Sequence, residues 1–399
     1  MVKPQRLLRS NPGSHWGIVA VAEPHQIDLA DLHPRLERAV DFAARQVRAT
    51  IERSPDFFPI YTAGGKWQHG GELWTDWCAG FHAGMMWILA KRTGNGWWRA
   101  QAEHYSRLIE HKKHDRDVHD LGFIFLNTYL PWYEETADPE VHQVLITAGQ
   151  TLALRFNPKG RYLRSFVAPE SLFIDIMMNV PIIFYAARAT GDRSLYEIAV
   201  AHCRTTERTL VRPDGGTAHE GIFDLETGAF LRQTTHQGLR GDSDWSRGLA
   251  WSLYGYGTVY TYTNDPADLA VAERNADHFI ARCPANMVPP WDFDVPPGPN
   301  RIDDSSAAAI AASGLWNLAE LTADLARRRR YRDAALNILE TLCSDDYLAA
   351  STPGWEGVLK HGVYHFHKKL GVDESVMWGE FFFLEAVAKA LGIRVRTQG

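Results

Sequence analysis

The sequence predicts an all-α fold, an (α/α)6 barrel, and three observations carry that prediction. Strand signals are sparse, while apolar residues recur at helical spacing along nearly the whole chain. A turn signature recurs as Thr93-Gly94-Asn95, Thr136-Ala137-Asp138, Thr190-Gly191-Asp192, Thr263-Asn264-Asp265 and Thr322-Ala323-Asp324. Each signature joins an aromatic or Ala-rich segment to a more amphipathic one, and long Gly/Pro/aromatic loops lead from each pair to the next.

About twelve helices are expected, near 33–53, 76–92, 97–113, 120–135, 139–156, 172–189, 193–210, 244–262, 266–282, 303–321, 328–343 and 374–390. Gly, Asn and Asp in the signatures suit a helix stop followed at once by an N-cap, as in a tight αα-hairpin. WWRAQAEHYSRLIEHKK after the first signature and RSLYEIAVAHCRTTERTL after the third have the amphipathic pattern of outer helices. The signatures are unevenly spaced, which argues against a regular solenoid of short repeats. The long loops always enter the helices starting near 76, 120, 172, 244, 303 and 374. These six are the expected inner ring. Their N-termini would share one mouth, where backbone dipoles and free N–H groups favour an anionic ligand. Residues 1–399 are read as a single domain with residues 1–30 as an N-terminal arm; a two-domain helical bundle is the competing topology.

Composition narrows the function. Hydrophobic residues make up 45% and charged residues 23%, as in a globular protein, and the net charge of -6 offers no basic excess for nucleic acid. The run Arg327 to Arg330 reads as a solvated helix face. No stretch is long and apolar enough to span a bilayer, and MVKPQRLLRSNPGSHW has no apolar signal-peptide core. Cys78, Cys203, Cys283 and Cys343 are far apart and read as reduced, mostly buried thiols, so a cytoplasmic protein is expected. The 14 Trp residues suit a protein that stacks flat ligands or sugar faces.

Acids gather where the inner helices should begin: Asp76, Asp120, Asp244, Asp303 with Asp304, and Asp373 with Glu374. Helix capping accounts for most of these. Asp175 is different, because SLFIDIMMN sets it among Leu, Phe, Ile and Met. With Ser171 as the cap, Asp175 falls about one turn inside its helix, beside Met178 and Asn179. A carboxyl in that setting has a raised pKa and can donate a proton; a buried structural aspartate is the alternative. Asp120, after His119 in VHDLGFIF, is a second candidate or a simple N-cap, and two carboxylates at one mouth suggest glycosidic chemistry. His219, Gln237, Arg247 and Trp251 are the ligand-binding candidates of the polar stretch between the 193–210 and 244–262 helices and the start of the latter. Arg247 and Trp251, four apart, either hold a carboxylate and a sugar ring together or stack in the core. His361, His365 and His367 lack a compact set of acidic or thiol partners, so neither a metal nor a cofactor is expected.

The sequence resembles the unsaturated glucuronyl hydrolases, glycoside hydrolase family 88, from about Trp74 to Ala388. The resemblance is carried by TDWCAGFHAG, HDLGF, RFNPKGRYLRS, SLFIDIMMN, the THQG loop, SDWSRGLAWSLYGY, VPPWDFDVP and GVDESVMWGEFFFLEA, in that order. It implies an (α/α)6 barrel and substrates that are lyase-cut oligosaccharides ending in a 4,5-unsaturated uronate. It also implies that Asp175 protonates C4 of the vinyl ether and then helps water add at C5. Asp120 matches a second essential carboxylate accompanied by His119. His219, Gln237 and Arg247 match polar pocket residues, with Gln237 positioning water and Arg247 meeting the uronate carboxylate. Trp77, Phe81 and Trp251 match aromatic walls, with Tyr364 a further member. Family members acting on sulfated fragments carry Ser, Ser and Lys where His365, Lys368 and Leu370 stand here, so strong preference for sulfated disaccharides is not expected.

The partner is then an unsaturated uronate-containing oligosaccharide, with no nucleic acid and no membrane, on a monomer or homodimer. The alternatives are an unsaturated rhamnogalacturonyl hydrolase of the same chemistry, a sugar epimerase using His219 and His365, and a noncatalytic sugar-binding toroid.

Overall fold

The computed structural model describes residues 24–70 and 77–395. Most of the expected N-terminal arm (residues 1–23), Asp76 and the start of TDWCAGFHAG lie outside the described residues. Fourteen α-helices are present among those described. They are α1 (Leu29–Arg53), α2 (Ala79–Thr93), α3 (Gly96–Leu108), α4 (Leu121–Phe125), α5 (Tyr129–Thr136), α6 (Pro139–Ala153) and α7 (Ile176–Asn179). The rest are α8 (Pro181–Thr190), α9 (Arg193–Leu210), α10 (Ser246–Thr263), α11 (Pro266–Arg282), α12 (Ser305–Leu321), α13 (Leu325–Leu342) and α14 (Met377–Ala390).

The count exceeds twelve because two inner bodies are broken. Only Val180 separates α7 from Pro181, which has no N–H to continue the hydrogen-bond ladder, so α8 starts there. Pro131 lies near the start of α5. Just before it, the side chains of Asn127 and Thr128 hydrogen-bond to the carbonyls of Phe123 and Ile124, where α4 ends.

All five turn signatures join helices. Gly94, Ala137, Gly191 and Asn264 take left-handed backbone at the helix stop. Asn95, Asp138, Asp192, Asp265 and Asp324 then cap the next helix through their side chains. Inner helices such as α2, α12 and α14 are buried almost all round, whereas α1, α3 and α9 bury one face. α14 packs against both α12 and α2, which closes the ring.

The long loops hold the strands that the sequence left unread. β1 (Thr62–Ala63) pairs with β2 (Lys66–Trp67), and β3 (Phe156–Asn157) with β4 (Tyr162–Leu163). β5 (Ser171–Phe173), β6 (Glu220–Phe223) and β7 (Phe230–Thr234) form an antiparallel sheet in that order. β8 (Gly362–His365) and β9 (Leu370–Glu374) make a hairpin. All of them precede inner helices and so build the rim of the mouth.

The capping account of the acids is corrected by this rim. Asp304 caps α12, its carboxylate accepting from the Ser306 N–H. Asp120 and Asp175 stand at the N-cap positions of α4 and α7 without a capping hydrogen bond. Asp244 pairs with Arg212, His278 and Arg282, while Asp303 accepts from the Tyr347 hydroxyl. Asp373 pairs with His361, and Glu374 accepts from Thr62, Gly64 and Gly65. Of the basic run, Arg327 and Arg330 do more than face solvent, since both pair with acids of α11.

Candidate active site

β5 delivers Asp175 to the rim. Ile174 N–H donates to the His219 carbonyl, prolonging the β5–β6 pairing by one residue, and Ile174 and Ile176 are fully buried. Ser171 lies in β5 and is no cap: its hydroxyl joins Ser165 to Glu220, so Asp175 precedes its helix instead of lying a turn inside it. The Asp175 side chain keeps 13% exposure, and its Oδ2 has no hydrogen-bond partner among the described residues. Burial raises its pKa to about 6, against the opposing charge of Arg247.

Asp120 is brought alongside by α4. Gly122 lies so close to Asn179 that an added Cβ would come 2.5 Å from the Asn179 Cα. Asn179 itself accepts from the Phe123 N–H (2.8 Å) and donates to the Asp175 carbonyl (3.1 Å), tying the starts of α4 and α7 together. Gly122→Ala is therefore expected to destabilise the protein by about 1–3 kcal/mol and to cut activity with it, measured by urea denaturation and turnover. The Asp120 carboxyl is held well above its usual range, first by burial and then by the charge of Asp175. Two such coupled groups titrate in two steps that belong to the pair and not to either residue.

Each carboxyl faces an imidazole. His119 Nε2 is 3.4 Å from Asp120 Oδ1, and His219 Nε2 is 3.6 Å from Asp175 Oδ2. His119 Nδ1 accepts from the Phe166 N–H (3.1 Å), and His219 Nδ1 accepts from the N–H groups of His236 (3.1 Å) and Gln237 (3.2 Å). A nitrogen that accepts carries no proton, so the neutral rings are protonated on Nε2, toward the carboxyls. Burial holds both histidines well below their ordinary pKa.

Arg247 is held through both of its Nη groups. Its guanidinium donates to the Val363 carbonyl, to Asp304 (3.5 Å), to the Tyr364 carbonyl (2.9 Å) and to Gln237 Oε1 (2.5 Å). It lies over Trp245 and Trp378, at 4.5 and 5.0 Å from the ring centres. Its Nη donors hold the protein and fix Gln237 through its amide oxygen, so a direct grip on a uronate carboxylate, as expected from the resemblance, would compete with these bonds. The Gln237 NH2 group is left facing away from Arg247, as a donor.

The aromatic expectations divide. Trp77 is half-buried, lies tilted against Trp378 with ring centres 4.8 Å apart and donates to the Tyr364 hydroxyl (3.4 Å). Phe81 and Trp251 have no exposed surface; Phe81 lies under Trp77, and Trp251 packs on Phe123 and Phe382. They form the floor beneath the site, not its walls, and Trp251 does not stack with Arg247. The three close histidines go separate ways. His361 pairs with Asp373 (2.5 Å), His367 bonds the Gly238 carbonyl (2.9 Å), and His365 lies near His236 (5.6 Å between rings).

Trp378 and Arg155 lie inside the quoted motifs without being singled out, and sequence reasoning met Asp304 only as a helix cap and Asn179 only as a neighbour of Asp175. Arg155 is buried and donates to the carbonyls of Arg116, Arg164 and Ser165. No local spacing marks such a residue, because its partners are brought by other loops.

A barrel of helices with two buried carboxyls side by side over an aromatic floor is the setting of a glycoside hydrolase. The family model described as Glycosyl Hydrolase Family 88 matches residues 51–289. An unsaturated glucuronyl hydrolase of Formosa agariphila is 33% identical over 79% of this chain and 80% of its own length. Its counterpart from a Bacillus species is also 33% identical, over 79% of this chain and 86% of its own. The crystal structure of the Bacillus unsaturated glucuronyl hydrolase, superposed over 90% of this chain and 97% of its own, gives a TM-score of 0.83 at 29% identity. The chain belongs to glycosyl hydrolase family 88.

Proposed function

We propose that this protein removes a terminal 4,5-unsaturated uronate from oligosaccharides by hydrating its vinyl ether. The observation that carries the reading is the Asp175 carboxyl, raised to about 6 by burial, its side chain 13% exposed and its Oδ2 without a hydrogen-bond partner among the described residues. A neutral carboxyl there can give its proton to C4, and the ring oxygen stabilises the cation that forms at C5. Water adds to C5 and returns a proton to Asp175, leaving a hemiketal. Ring opening of the hemiketal then releases the neighbouring sugar and an open-chain keto acid, so the sum is one water consumed. Asp120 supports the developing positive charge, and the Gln237 NH2 donates to substrate or water within the field of Arg247. The named activities of the Formosa and Bacillus relatives support the same substrate class for this chain. The epimerase alternative would need His219 and His365 as an acid and base pair. Burial lowers both, His365 to about 3, which keeps both rings neutral and disfavours that pair.

The test is the ultraviolet absorbance of unsaturated disaccharides made by several polysaccharide lyases. Decay is expected, with one deuterium entering at C4 in heavy water. No decay with any uronate type would sink the reading. Because the acid must be protonated, kcat/KM should fall as pH rises through about 6, by about tenfold per pH unit beyond it. A flat profile up to pH 8 would contradict Asp175 as the acid.

A further inference from the structure

We propose that Arg155 is a positioning residue for this reaction, acting on Asp120 through a single peptide group and His119. The inference rests on the reading that Asp120 belongs to the reacting site. The peptide unit between Ser165 and Phe166 is gripped at both ends. Its carbonyl oxygen accepts from Arg155 Nη2 at 2.5 Å, and its N–H donates to His119 Nδ1 at 3.1 Å. The far side of the same imidazole, Nε2, stands 3.4 Å from Asp120 Oδ1. A continuous line therefore runs from a guanidinium, through one amide and one ring, to a carboxyl.

The chemistry along that line has one direction. A cation bonded to a carbonyl oxygen polarises the amide and makes its N–H a stronger donor. A stronger donor on Nδ1 keeps the proton off that nitrogen and on Nε2, where it faces Asp120. Arg155 is 6% exposed, its other hydrogen bonds run to the carbonyls of Arg116 and Arg164, and among the described residues it makes no ion pair. A buried cation without a paired anion is costly, and a pure loop clamp would not need one. The charges around it are those of Asp120, Asp117 and Asp115, opposed by Arg164. After burial and Asp175, which raise the Asp120 pKa, Arg155 is the leading influence lowering it, with Asp115 and Lys112 weaker. The same charge, after burial, helps hold His119 neutral, with His202 as the next contributor. Arg155 thus orients, through His119, an N–H toward Asp120, and its charge opposes the burial and the Asp175 charge that hold the Asp120 carboxyl high.

The experiment uses the full chain labelled with 15N in histidine, with His119 assigned by its loss in His119→Gln. In the wild type, His119 should carry its proton on Nε2 from about pH 5 to about pH 8, the range in which a free histidine changes charge. In Arg155→Met, a population protonated on Nδ1 should appear. Its kcat on an unsaturated disaccharide should fall by about tenfold or more, as for outer hydrogen-bond partners of functional histidines, with KM changed less than about threefold. Arg155→Lys keeps the charge and one donor and should recover part of both effects. If the Met variant does not fold, the Lys variant and the wild-type tautomer still decide the matter. A wild-type His119 protonated on Nδ1 would overturn the inference, and so would a fall in kcat with the tautomer unmoved, which marks a clamp alone. Absence of turnover in the wild type would overturn the reaction reading, separately, since the nitrogen signals are read without substrate.

Discussion

Asp175→Asn is expected to lower kcat by about 10²–10⁴-fold, the usual contribution of a general acid, while KM stays within a few-fold. The same substitution should stabilise the folded protein at neutral pH. A carboxyl raised from 3.8 to about 6 binds its proton more tightly folded than unfolded. Stability is therefore lost as pH rises between those values, by up to about 3 kcal/mol at about 1.36 kcal/mol per pH unit. Asn has no proton to lose, so the variant should be more stable than the wild type above pH 6 and no more stable near pH 4. Denaturant midpoints at the two pH values, with turnover measured on the same preparations, check both halves. A variant that is inactive and also less stable at pH 7 would mean that Asp175 is a structural aspartate.

Arg247→Met should destabilise the fold by about 3–5 kcal/mol, because it strips the counter-charge from Asp304 in the protein interior. Asp304 is fully buried, and burial raises its pKa even with Arg247 beside it. Without the guanidinium that pKa rises further, so the deficit should be largest at neutral pH and shrink as acid protonates Asp304. Activity should fall as well, since Gln237 loses the bond that sets its amide and the β8–β9 hairpin loses two carbonyl contacts. Adding Asp304→Asn to Arg247→Met should restore stability and leave the activity low. If the double variant recovered turnover, Arg247 would be acting through Asp304 and not through Gln237.

The helical bodies and their five tight turns were legible because each depends on neighbours in the chain. Apolar spacing selects the face a helix buries, and a Gly, Asn or Ala stop followed by a capping side chain needs no distant partner. Asp175 was legible for a similar reason: one acid among Leu, Phe, Ile and Met stands out without any fold. The breaks before Pro131 and Pro181 were open to the same local reading, since both prolines stand in the sequence, but the count of helices passed over them.

What only the tertiary structure decided is the use of each polar group. Arg247 and Trp251 share a helical spacing, yet one is spent on carbonyls 116 and 117 residues away and the other is sealed beneath Phe123. The protonated nitrogen of His119 is set by an amide 47 residues further on, which Arg155 holds from the end of another helix. Hydrogen bonds are short and directional, so their partners are chosen by the way loops meet at the rim. Periodicity and capping, which act within a few residues, carry no information about that meeting.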